Sequence, residues 1–66
     1  MIYDEPTYEM ACQVMAETEK AIRIKDFATG ELLWLPLSQI KEIHRDKFGI
    51  GTVVMTEWIA KQKGLT

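Results

Sequence analysis

Sixty-six residues, 47% of them hydrophobic, with a net charge of −2, one cysteine and one histidine, describe a single small domain and exclude two ways of stapling it. Cys12 has no second cysteine to bond with, and Cys12 with His44 cannot assemble a zinc site, so with no metal or cofactor expected, a core worth about 3–5 kcal/mol must rest on tight packing or self-association. The acidic balance disfavours phosphate-dominated duplex binding; residues 1–7 lack a signal-peptide pattern and residues 32–37, the longest apolar run, are far too short to span a membrane, which points to a reducing cytoplasm and no membrane partner.

Residues 1–7 hold Asp4, Glu5 and Pro6 and read as a flexible acidic arm ahead of a globular domain at 8–66. Residues 8–18 are ambiguous. Tyr8, Met10, Cys12, Val14 and Ala16 alternate with more polar neighbours as in a strand, while Met10, Ala11, Val14 and Met15 form a stripe that suits a helix. A strand is favoured, because the next segment is extended and residues 17–20 offer a turn; the alternative is an α+β fold with an N-terminal helix at 8–18.

Residues 21–26 alternate cleanly, Ile22 and Ile24 on one face, Arg23 and Lys25 on the other. Phe27-Ala28-Thr29-Gly30 then predicts a hairpin returning through residues 31–37. In that returning strand Leu32 and Trp34 share one face and Leu33, Leu35 and Leu37 the other. Both faces are apolar, which places the strand in the middle of the molecule, covered on two sides or half-covered by a partner chain. Pro36 has no N–H for a ladder and marks a bend or end of pairing. Ser38 could start a helical turn through 39–43, or 41–45 could be a short exposed strand.

Residues 46–51 contain two glycines and read as a loop, and 52–56, Thr-Val-Val-Met-Thr, as a strand. Thr56 as N-cap, Glu57 in the first turn, Lys61 and Lys63 near the end and Gly64 just beyond predict a helix over 57–63. So short a helix needs anchoring, and Trp58 and Trp34 are expected to be structural anchors whose truncation unfolds the domain. The sum is a mostly β fold, a small SH3-like or OB-like barrel or a curved antiparallel sheet of four to five strands with a short C-terminal helix.

The segments Trp34-Leu35-Pro36-Leu37-Ser38-Gln39-Ile40 and Glu57-Trp58-Ile59-Ala60-Lys61-Gln62-Lys63-Gly64-Leu65 resemble a group of short bacterial and prophage-encoded proteins that carry W-[IL]-P-x-S-x-[IL] followed by a terminal E-W-[IL]-A-x-x-K-G-L. The resemblance covers the C-terminal half best. Leu37 stands where the group has Lys. What it implies is a phage-accessory origin and a compact β fold, and no chemistry.

No constellation of residues supports catalysis. Cys12 sits in an apolar series far in sequence from His44, and reads as core; His44 lies among Lys41, Glu42, Arg45 and Asp46 and reads as solvated. The acid pairs Asp4/Glu5 and Glu17/Glu19 would need a shaped cleft to act as acid and base. The expectation is therefore a non-enzymatic interaction module that binds a protein partner or itself, through a sheet edge or the apolar face around Leu33, Leu35 and Leu37. Ser38 and Gln39 mark a recognition rim. The alternative is a single-stranded nucleic-acid binder that uses Lys20, Arg23 and Lys25, with Phe27 or Tyr8 stacking on bases.

Overall fold

Alternation prevails over helix propensity at the first element. In the computed structural model, which describes residues 5–66, Thr7–Glu17 form strand β1, followed by β2 (Ala21–Asp26), β3 (Leu32–Pro36), β4 (Ile40–Arg45), β5 (Ile50–Thr56) and helix α1 (Glu57–Gln62). Residues 1–4, which carry most of the expected acidic arm, lie outside the described residues. Of the rest of that segment, Thr7 opens β1, the Pro6 carbonyl accepts from the Glu57 N–H at 3.0 Å, and Glu5 pairs with Lys41.

All pairings are antiparallel, and the strand order is β3-β2-β1-β5-β4. β1 is the central strand because its one face carries Met10 and Cys12 between the Ile22 and Ile24 of β2 and the Val53 and Met55 of β5, all buried. β3 adds Leu35 to this inner face, and α1 closes over it with Ile59 and Ala60. The strand following β2 therefore lies at the sheet edge, not in the middle as its two apolar faces suggested.

The connection between β3 and β4 dictates the curvature. These strands occupy opposite edges, yet only a three-residue 3-10 turn, Leu37–Gln39, joins them. Edges of a flat five-stranded sheet stand about 19 Å apart, four spacings of about 4.8 Å, whereas a turn this short spans roughly half of that. The sheet must curl until its edges approach at that end. It stops short of closure: β3 and β4 exchange no ladder, so the structure is an open curved sheet and not the closed barrel that was the other expectation.

Two irregularities let it curl. The β1–β2 register shifts between Val14 and Ala16, leaving Met15 bulged and half exposed where β1 leaves β5. The β4–β5 register shifts between Ile40 and Glu42 around Lys41. At 38–45 the strand alternative prevails, as β4 over Ile40–Arg45; the 3-10 turn lies earlier, at Leu37–Gln39, and no side chain caps it, so the helical turn expected through 39–43 from Ser38 does not form.

α1 follows the end signals in the sequence. Thr56 is the N-cap, its Oγ1 accepting from the Ile59 N–H at 3.2 Å. At the other end the Leu65 N–H reaches the Ala60 carbonyl at 2.8 Å and the Gly64 N–H the Lys61 carbonyl at 3.1 Å, with Gly64 at φ 74°, which is the Schellman arrangement. Leu65 packs on the core.

Trp34 and Trp58, expected as anchors, are 45% and 60% exposed. The reason is positional. Alternation commits the inward places of β3 to Leu33 and Leu35, opposite Ile24 and Ile22, so Trp34 must point out; α1 turns its Ile59–Ala60 side inward, which leaves Trp58 on the solvent side. The anchors are Leu35 and Ile59.

Candidate interaction surface

The β2–β3 hairpin sets the surface. Its four-residue turn is held by the Asp26 carboxylate, which accepts from the Ala28 N–H at 2.9 Å and from the Thr29 hydroxyl at 3.3 Å, while the Gly30 N–H donates to the Asp26 carbonyl at 2.7 Å. This fixes the register at Ile22↔Leu35, Arg23↔Trp34, Ile24↔Leu33 and Lys25↔Leu32. On the outer face the Trp34 ring therefore stands opposite Arg23, and Leu32 opposite Lys25. Gln13 and Ile50 prolong the second row across β1 and β5. Leu32, Trp34, Arg23 and Lys25 are all exposed.

Backbone parity gives the edge its character. The Asp26 N–H donates to the Glu31 carbonyl at 2.9 Å and the Leu37 N–H to the Lys20 carbonyl at 2.8 Å. Because hydrogen-bonded pairs alternate along an antiparallel ladder, residues 31, 33, 35 and 37 turn their amides toward β2. Leu32 and Trp34 turn theirs to the open side, and Pro36 offers a carbonyl only. A short, uncharged strand, Leu-Leu-Trp-Leu-Pro, thus presents free donors and acceptors from the same two residues that expose apolar side chains.

The opposite edge is built differently. β4 has the Lys41 bulge, carries Lys41, Glu42, His44 and Arg45, and ties Lys41 to Glu5 and Arg45 to Glu17 through ion pairs. Bulges and charges are the usual guards of an edge strand; β3 has only Pro36, at its end.

The residues singled out from sequence are spread along the hairpin: Lys20 and Ser38 lie at the end nearest the 3-10 turn, Arg23 in mid-strand opposite Trp34, and Lys25 toward the 27–30 turn opposite Leu32. Lys20 sits in the β1–β2 turn, which Thr18 Oγ1 stabilises by accepting from the Lys20 and Ala21 N–H groups at 3.3 and 3.0 Å; its carbonyl holds Leu37, next to exposed Ser38. Gln39 is diverted. Its Oε1 accepts from the buried Thr56 hydroxyl at 2.8 Å, tying the 3-10 turn to the helix cap, so its role is structural. The Leu33/Leu35/Leu37 face offered as an apolar docking face is the inner face: Leu35 is fully buried and the other two pack against the core.

Leu32 and Trp34 are the residues that sequence reasoning missed as a surface. The signal was present in the hairpin: once Arg23 and Lys25 point outward, their partners across the ladder must point outward too.

The remaining chemistry-bearing side chains stay apart. Cys12 is buried on the inner face opposite Asp26, and burial, then the neighbouring Asp26 charge, pushes its thiol above the ordinary value of 9.0, the reverse of what a nucleophile needs. His44 lies exposed on the outer side with its Nε2 at 2.7 Å from Glu42 Oε1. Among the described residues no His, Cys, Asp and Glu side chains group as a metal site, and no helix is long and apolar enough to cross a membrane.

Comparison with protein-family models, with curated proteins and with solved structures returned no match.

Proposed function

We propose that this chain is a non-enzymatic protein-interaction module that binds by accepting a strand along the free edge of β3. One observation carries the reading: the β3 edge is uncharged, unbulged and flanked by exposed Leu32 and Trp34, while the β4 edge is guarded. Main-chain bonds to Leu32 and Trp34 would supply affinity, and their side chains specificity, as in other cases of strand addition. The resemblance of its tryptophan-centred segments to prophage-encoded proteins supports a phage-accessory role in the cytoplasm.

The test is partner retention. Affinity capture with the full chain, compared with Leu32→Pro, which removes an outward N–H without touching the ladder to β2, retains the partner on the wild type and loses it on the variant. Equal retention by both would rule out strand addition at β3.

A second reading has one observation in its favour: exposed Trp34 stands opposite Arg23 in the ladder, with Lys25 two places along the same strand face. A base stacked on Trp34 with its phosphates toward Arg23 and Lys25 would suit single-stranded nucleic acid. Such binding weakens with salt and with Arg23→Glu/Lys25→Glu. Unchanged Trp34 fluorescence on titration with oligonucleotides at low salt would remove it.

A further inference from the structure

We infer that the strand added to β3 is β3 of a second copy of this chain, antiparallel to the first, with the two-fold axis at Leu33. This rests on the strand-addition reading and names its occupant. A two-fold pairing of identical strands is self-complementary only if the outward amides meet outward amides, which admits axes at Leu32, Leu33 or Trp34.

The structure discriminates among the three. An axis at Leu32 sets Trp34 opposite Gly30, whose N–H is already committed to the Asp26 carbonyl at 2.7 Å. An axis at Trp34 sets Leu32 opposite Pro36, whose ring occupies the place of the needed donor and crowds the Leu32 carbonyl. An axis at Leu33 sets Leu32 of each copy opposite Trp34 of the other. Both N–H and both C=O groups of both residues are then bonded, four hydrogen bonds in all, and Pro36 falls outside the paired centre. This register also keeps the paired centre clear of the 3-10 turn, the end at which the curled sheet brings β4 near.

Side chains agree with backbone. On the outer face each Trp34 ring lies over Leu32 of the other copy, covering the two apolar groups that a single copy leaves open. On the inner side Leu33 meets Leu33, extending the core across the axis. No charged residue lies within 32–37, and Glu31 falls opposite Leu35 of the other copy, so like charges do not meet. The product is a continuous sheet of twice five strands whose new edges are the two guarded β4 strands.

Pairing one short edge buries less than the roughly 1,200 Å2 of a standard interface, so the association is concentration-dependent. Sedimentation equilibrium of the full chain up to about millimolar concentration, the weak end of measurable affinity, is expected to show monomer and dimer, with dimerisation weakened about tenfold or more by Leu32→Pro and by Trp34→Lys, each checked for folding by circular dichroism. In a Cys12→Ala background, Leu33→Cys is expected to form an inter-chain disulfide on mild oxidation, since opposed residues of a non-hydrogen-bonded pair lie within disulfide reach, and Ile50→Cys is not. A strict monomer overturns the inference and leaves strand addition to be judged by partner retention. A dimer indifferent to both edge variants, or an edge-dependent dimer in which Leu33→Cys does not cross-link, overturns it as well.

Discussion

Trp34 and Leu35 are adjacent in sequence and opposite in consequence. Leu35 is fully buried between strands and helix, whereas Trp34 keeps nearly half of its surface in water. Leu35→Ala is therefore expected to cost about 2–5 kcal/mol, enough to unfold most of a domain this small. Trp34→Ala and Trp58→Ala, in dilute solution, are expected to cost about 1 kcal/mol or less. Urea titrations followed by circular dichroism compare them, and a Trp variant as damaging as Leu35→Ala would contradict the packing described. Cys12 carries a pH dependence. Burial raises its pKa in the folded state, so at alkaline pH the unfolded chain loses the thiol proton first and is favoured. The contribution is intact below the ordinary thiol range and is lost as pH rises through it toward the raised value. The urea midpoint should fall between about pH 8 and about pH 10 by more in the wild type than in Cys12→Ala.

At the scale of elements, β4 and β5 approach unusually closely. Gly51 lies opposite Arg45, and a Cβ added there would overlap the His44 carbonyl oxygen and stand 2.8 Å from the Arg45 Cα. Those are backbone atoms that cannot swing away, so Gly51→Ala is expected to part the two strands and cost about 1–3 kcal/mol or more; a thermal midpoint equal to the wild type would show that the strands yield freely. This contact was invisible in the sequence, where Gly51 reads as the end of a loop. By contrast, α1 was legible because its signals are local: Thr56, Glu57, Gly64 and Leu65 act within one or two turns. Strand β1 was half legible. Its alternation and the adjacent extended β2 were legible, but its victory over helix propensity depends also on β5, a partner far along the chain. The outward direction of Trp34 followed from the hairpin register, and its exposure depended on what else covers that face, which only tertiary structure decides.

For the whole molecule, the charged side chains do less than their number suggests. The ion pairs Lys41–Glu5, Arg45–Glu17 and Lys61–Glu57 are all partly exposed, and such pairs contribute about 1 kcal/mol or less each. Raising ionic strength to about 1 M, where the screening length is about 3 Å, is expected to shift unfolding stability by about 1 kcal/mol or less, measured by urea titration at each salt concentration. A large loss would mean that electrostatics and not the Met10–Ile24–Leu35–Met55 core holds the sheet. The fold class was readable from the spacing of short β patterns; the open edge was not, because β3 looks central by composition and becomes peripheral through strand order.

That order has a consequence in time. β1 leaves the ribosome before every other strand, yet it is the centre of the sheet, flanked by β2 on one side and β5 on the other. Once β1, β2 and β3 have emerged, the half-sheet has an unsatisfied row along Thr7–Gln13 and its apolar Met10 and Cys12 without a lid, and it must wait until β5 and α1 are synthesised. During that interval the nascent chain has a second open border, one that disappears for good when Thr56 meets Thr7, and the finished protein keeps the border along β3 together with the guarded one along β4.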